Sequence, residues 1–178
     1  MIYSIGHSHH GATEFVALVK AFGIEMLIDI RRQPRSRRHP QFERPALAAT
    51  LAARGIDYAW WGDALGGRRV ARPDSPHIAL RDGALRGFAD HMRSAEFRAA
   101  AQALAALAAQ RPIAFMCAEG DPLHCHRVLL ADYLELGGLA VLHITASQSG
   151  MRHVLNAALG DDRGAPVYNR CAQGDLFA

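Results

Sequence analysis

Met116-Cys117-Ala118-Glu119-Gly120-Asp121-Pro122-Leu123-His124-Cys125-His126-Arg127 gathers two thiols, two imidazoles, two carboxylates and a guanidinium in one short segment. It joins an apolar run, Pro112 to Cys117, to a helix expected from about Cys125 to Leu136. A helix N-terminus offers free amides and the positive end of the peptide dipoles, and so attracts anions. With Cys125, His126 and Arg127 in the first turn, Arg127 would complete a phosphate or carboxylate site, and a thiol there would have a lowered pKa. The spacing is not the Cys-five-residues-Arg loop of tyrosine phosphatases, because the sixth residue after Cys117 is Leu123 and the sixth after Cys125 is Ala131. Adjacent side chains in a helical turn diverge, and no pair of Cys-x-x-Cys knuckles is present, so a structural zinc site is not expected. The sequence requires no cofactor. A divalent metal is compatible with these residue types, but none is assigned a ligand. Cys117 is equally well read as a small apolar residue ending a core strand.

Asp29 interrupts the apolar run Met26 to Ile30, where an unpaired carboxylate would be costly. Arg31, two residues on, points to the same face of a strand. The pair is either a buried structural ion pair or a general base with its partner. Five arginines, Arg31, Arg32, Arg35, Arg37 and Arg38, crowd one segment, and guanidinium groups bind phosphate bidentately. A solvated basic loop is the alternative. His7 follows Gly6 at the end of a short strand. Leu65-Gly66-Gly67-Arg68-Arg69 makes a flexible turn with two cations, and Trp60 or Trp61 could stack on a base or fill the core.

These groups need elements that bring them together. Strands are expected at Ile2–Ile5, Met26–Ile30, Ile56–Trp61, Pro112–Cys117 and Leu139–Ile144. Helices are expected at Glu14–Phe22 (capped by Thr13), Pro45 to about Arg54, after Asp82, Ala95–Gln110, Cys125–Leu136 and, more weakly, Ser149–Leu159. Alternation of strands and helices implies an α/β fold, a single three-layer domain over residues 1–160 with a mostly parallel central sheet flanked by helices. Residues 161–178 read as a C-terminal tail. Ligands of such sheets sit at the carboxyl ends of the strands. His7, Asp29 with Arg31, Cys117 with Glu119, and His143 all follow or end strands, so one rim can collect them.

The 178 residues are half hydrophobic and 21% charged, which excludes a disordered chain. No run of about 20 apolar residues is present, so no membrane span is expected. The first residues lack a signal peptide's pattern. Three cysteines, odd and sparse, favour a reducing compartment, so a cytoplasmic location is expected. The net charge of +3 identifies no partner; 19 of the 20 cations are arginine and 33 residues are alanine, as a GC-rich genome would produce.

Gly6-His7-Ser8, Asp29-x-Arg31-x-x-Pro34-x-Ser36, Pro40-Gln41-Phe42, Gly55-Ile56-x-Tyr58, Leu65-Gly66-Gly67 and Cys117-x-Glu119 with Cys125-His126-Arg127 occur together and in order. This set resembles the domain of unknown function 488 family from about Ile2 to Ile144. The resemblance implies a bacterial or archaeal cytoplasmic α/β domain whose shared site is formed by these motif positions, including Gly6, Ser8, Ser36, Phe42, Tyr58, Gly66 and Gly67. It implies no particular reaction. Glu43 departs from the small polar residue that relatives often carry.

The tail Gln173-Gly174-Asp175-Leu176-Phe177 resembles the peptide that docks on the bacterial sliding clamp. Leu176 and Phe177 would enter an apolar pocket, with Gln173 and Asp175 setting orientation. Ordinary packing of Leu176 and Phe177 on the domain is the alternative.

The leading expectation is a hydrolase or transferase acting on a nucleotide or nucleic acid. Arg31, Arg35, Arg37 and Arg127 would hold phosphate; Asp29, Glu119 and His7 or His126 would move protons. No Gly-x-Gly-x-x-Gly fingerprint follows a strand, and no Gly-Lys-Ser/Thr phosphate loop is present. A non-catalytic DNA- or nucleotide-binding module linked to replication or repair is one alternative. Thiol or metal chemistry at Cys117 and Cys125 is another.

Overall fold

The apolar runs form the middle of a sheet in the computed structural model, which describes residues 1–145, 150–160 and 165–170. Five strands are parallel: β1 (Ile2–Gly6), β2 (Met26–Asp29), β3 (Asp57–Trp60), β4 (Ile113–Cys117) and β5 (Val141–Ile144). A short sixth, β6 (Gly150–Arg152), adds antiparallel to β5, giving the order β3-β2-β4-β1-β5-β6. Every residue of β4 is buried, as expected of an inner strand covered on both faces.

Helices α1 (Ala12–Ala21) and α2 (Arg44–Ala52) cover one face. There Phe15, Val19, Leu47 and Leu51 pack on Ile5, Leu27 and Met116. The other face carries the single turn α3 (Gly62–Leu65), then α4 (Gly83–His91), α5 (Ala95–Gln110) and α6 (Arg127–Leu136). Phe88, Phe97, Leu104 and Leu129 pack there on Ile28, Ile113 and Phe115. The chain leaves β1 toward α1 on one face and β4 toward α6 on the other. The loops therefore part between the carboxyl ends of these two neighbouring strands, where open α/β sheets form their crevice.

Local signals explain most boundaries. Asp82 accepts from the amides of Ala84 and Leu85, and Ser94 from that of Phe97, so both cap the helices that follow. Thr13 does not cap α1; the N-cap is Gly11, and the helix starts at Ala12, earlier than the expected Glu14. Of the helix expected over 149–159, the described residues 150–159 form β6 and irregular chain instead. Val154 and Leu155 are exposed there, while His153 turns inward, so no helical apolar stripe forms. Val167 and Tyr168 are buried, so packing continues past residue 160. The clamp-like peptide, Gln173 to Phe177, lies outside the described residues.

A buried polar chain ties the late segments to the sheet. The Tyr168 hydroxyl donates to Asp132 Oδ2 (2.9 Å), and His153 Nε2 donates to Asp132 Oδ1 (2.9 Å). His153 Nδ1 lies 3.0 Å from His143 Nε2, and His143 Nδ1 lies 3.0 Å from Ser4 Oγ. His143 therefore faces inward from β5 and does not join the rim. Burial, and then the neighbouring His153, push its pKa down from 6.5 to about 3. His7 is also depressed, to about 4, by burial and then by Arg31. The unfolded chain thus binds more protons than the folded one between pH 6.5 and about 3. The stability that depends on these two neutral rings should be complete above pH 6.5 and fall as pH drops through that window. Urea unfolding at stepped pH should show this loss, and His143→Gln should flatten it. An identical profile in the variant would exclude His143 as its source.

Candidate functional site

A cavity of about 850 Å³ opens where the loops part. The turn after β1 supplies His7 and Ser8 to its wall, and the end of β4 with the loop after it supplies Cys117, Ala118, Glu119 and Gly120. The segment after β2 supplies Arg31, Arg32, Arg35, Ser36, Arg38 and His39. Gly67 and Arg68 come from the turn after α3, Asp82 and Leu85 from the start of α4, and His124, Cys125 and His126 from the turn before α6. Five guanidinium-bearing residues face the cavity against two carboxylates, Asp82 and Glu119. Field lines from such a one-sided lining favour an anionic ligand.

Asp29 is fully buried and spent on its neighbours. Its Oδ1 accepts from the Arg31 amide (3.0 Å) and from Arg31 Nε (2.9 Å). Its Oδ2 accepts from Arg31 Nη2 (2.6 Å) and from the Tyr58 hydroxyl (2.7 Å). Both oxygens are engaged, as in a structural ion pair, and the fork fixes the position of Arg31. The fork uses Nε and Nη2, and Arg31 also lines the cavity. Trp60 Nε1 donates to the Arg31 carbonyl (2.8 Å) and fixes the backbone as well. Burial and the Asp29 carboxylate push the Tyr58 hydroxyl upward, so it remains a donor. Tyr58 supports the site from behind and is not among the cavity-lining residues.

His7 donates from Nδ1 to the Ser8 carbonyl (2.9 Å) and stacks on Phe42, with ring centroids 4.2 Å apart. With its pKa pushed down to about 4, the ring is neutral at physiological pH and Nε2 carries a lone pair. Phe42, expected to contact substrate, is wholly buried behind His7. Ser8 takes a left-handed backbone (φ 47°) while its amide donates to the Ala118 carbonyl (2.8 Å). Gly6 is required by close approach, since a Cβ there would collide with the Glu119 carbonyl.

Arg127 departs furthest from expectation. Its side chain is fully buried beneath the rim and does not line the cavity. Nη1 donates to Ser4 Oγ (3.3 Å), and Nη2 donates to the carbonyls of Glu119 and Gly120 (the latter 3.2 Å). It holds the loop after β4 against β1. Helix α6 starts at Arg127, with His126 as N-cap and Cys125 extended (φ −134°, ψ 149°). Cys125 and His126 are thus not successive residues of a helical turn, and the expected divergence does not occur. Their side chains turn toward Cys117. His126 Nδ1 lies 3.5 Å from Cys125 Sγ and 3.8 Å from Cys117 Sγ. The two sulfurs act on each other in opposite senses: Cys125, then burial, pushes the Cys117 thiol up, while Cys117, then His126, pulls the Cys125 thiol down.

Glu119 is exposed at the cavity wall, and Arg35 and Ser36 also line it. Arg37 is exposed and does not. Gly66 lies against Arg32 and the Gly62 carbonyl, a packing position. Reading the sequence missed Arg32, Arg38 and Arg68 as individual lining residues, although each stands in a noted basic cluster. His39, Asp82 and Leu85 had no local signal; only the tertiary fold brings α4 to the rim.

Fold and site together define an α/β protein with a basic, thiol-floored cavity at the switch point of a parallel sheet. The chain belongs to the family described as Domain of unknown function DUF488, whose model matches residues 11–134. That span covers the motifs from Asp29 to Arg127 and stops short of Gly6-His7-Ser8 at one end and β5 at the other. No curated protein and no solved structure matches the chain. No helix among the described residues is long and apolar enough to cross a membrane.

Proposed function

We propose that the protein is a hydrolase or transferase acting on a phosphate-bearing substrate, a nucleotide or nucleic acid. The observation that carries this reading is the cavity lined by Arg31, Arg32, Arg35, Arg38 and Arg68 at the carboxyl ends of β1 and β4. Charge-assisted bonds from several forks fix a phosphate without a Gly-rich loop. His7 accepts a proton at Nε2, and the Glu119 carboxylate serves as a second acid or base at the same wall. Asp29 and Arg127 support this work through Arg31 and the Glu119 loop and do not touch the reacting atoms.

The test is a turnover screen over nucleotides and short oligonucleotides with the intact chain. His7→Asn and Glu119→Gln should each lower turnover of the identified substrate by about 100-fold or more while leaving its binding within a few-fold. Binding without turnover of any substrate in the screen would favour the binding module instead. The clamp-like peptide supports a place near replication or repair. Loss of sliding-clamp binding in a Leu176→Ala/Phe177→Ala variant would support it, and equal binding by both proteins would remove it.

A further inference from the structure

We infer that Cys117, Cys125 and His126 form a binding site for a single soft divalent cation of the zinc class, with its fourth coordination position open to the cavity. The three candidate donor atoms, two Sγ and His126 Nδ1, all lie within 4.8 Å of one another. In tetrahedral zinc sites, Zn–S is about 2.3 Å and Zn–N about 2.0–2.1 Å, which puts sulfur and nitrogen about 3.6 Å apart. The observed separations of 3.5 and 3.8 Å match that spacing without movement of the backbone. Two thiolates and an imidazole select zinc or a similar soft ion over magnesium or calcium.

The surroundings favour a ligand at the same point. Gly67 faces His126 directly, and a Cβ at that position would stand 2.7 Å from Nδ1. The glycine keeps open the space beside the one ring nitrogen that faces both sulfurs. His126 packs T-shaped against Phe88, with centroids 5.0 Å apart, which holds the ring in place. All three residues are at most 8% exposed, yet all three line the cavity. Three protein ligands with an open fourth position is the arrangement of catalytic zinc, whereas structural zinc is closed by four. The use of that position, to hold an oxygen of the phosphate-bearing substrate or a water, rests on the function proposed above. The binding of the ion does not.

The experiment uses the reduced full-length chain. Cobalt(II) is titrated in as a spectroscopic stand-in, followed by zinc in competition with a chromophoric chelator. One equivalent of cobalt should give thiolate-to-metal charge-transfer and tetrahedral ligand-field bands, displaced by one equivalent of zinc. The inference names Cys117, Cys125 and His126 as the ligands, so Cys171→Ser should leave these bands unchanged. Cys117→Ser, Cys125→Ser and His126→Asn should each weaken binding by about 100-fold or more. Gly67→Ala should also weaken it, because the methyl group displaces Nδ1. Absence of charge-transfer bands in the unmodified reduced protein overturns the inference even if every variant misfolds. So do bands that survive Cys117→Ser and Cys125→Ser together, or isolation of the chain only as a Cys117–Cys125 disulfide that binds no metal after reduction. Phosphate-ligand binding is measured separately on metal-free protein. Metal bound without phosphate would retain this site and remove the proposed function, and the converse would do the opposite.

Discussion

Asp29→Ala should destabilise the protein by about 3–5 kcal/mol, the loss expected when one partner of a buried ion pair is removed. The carboxylate is inaccessible and accepts four hydrogen bonds, three from Arg31 and one from Tyr58. Its removal leaves a buried guanidinium with no counter-charge in the middle of the sheet's carboxyl edge. Urea unfolding should show a lower midpoint with an unchanged slope. A double replacement, Asp29→Leu with Arg31→Met, should recover much of the loss, because a buried pair is often worth little against an apolar pair of similar volume. It should not recover ligand binding, since Arg31 is then absent from the cavity wall. Arg37→Ala, at an exposed position, should stay within about 0.5 kcal/mol. A single variant as stable as the parent protein would show that Asp29 is not the anchor of Arg31.

Arg127→Ala should have a comparable effect on stability, about 3 kcal/mol or more, and a larger one on the site. The substitution empties the volume of the largest fully buried side chain among the described residues and frees the carbonyls of Glu119 and Gly120. Ser4 also loses a donor, so the polar chain through His143 is disturbed at its end. Amide exchange should accelerate across residues 118–126, the loop that carries Glu119, Cys125 and His126. Arg127→Lys should rescue little, because an ammonium cannot reproduce the fork that reaches both sides. If Arg127→Ala weakened binding of a phosphate ligand with no change in exchange over 118–126, Arg127 would be a ligand contact and its anchoring role would be wrong.

These two residues also mark how far the sequence alone could be read. Asp29 was legible because a carboxylate within the apolar run Met26 to Ile30 must find a partner, and period-two alternation named Arg31. The rim was legible as well, since polar residues follow apolar strands where an α/β sheet binds its ligands. Arg127 was not legible. Its position beside a helix start pointed to an anion, but the packing of β1 against β4 placed the backbone of residues 119 and 120 over it instead. The convergence of Cys117, Cys125 and His126 depended on one extended residue, Cys125, ahead of α6. A helix start shifted by two positions reverses the conclusion about whether these side chains meet. The late segment failed for a different reason. Val154 and Leu155 read as helix-compatible apolar residues, while His153 is drawn to Asp132 by a contact no local pattern displays.

The five-arginine cavity should take a phosphate-bearing ligand, and calorimetric titration reads that binding without an assumed reaction. Nucleoside triphosphate and a short single-stranded oligonucleotide would be titrated into the intact chain and into an Arg35→Ala/Arg68→Ala variant. Both positions line the cavity away from the Asp29 anchor, so the variant should remain folded. At least one ligand should bind the intact chain and lose about tenfold or more in affinity in the variant, as expected when charged hydrogen bonds are removed. Binding should weaken further as salt is raised. Equal affinity for intact chain and variant, or no binding of either ligand by the intact chain, would contradict the account.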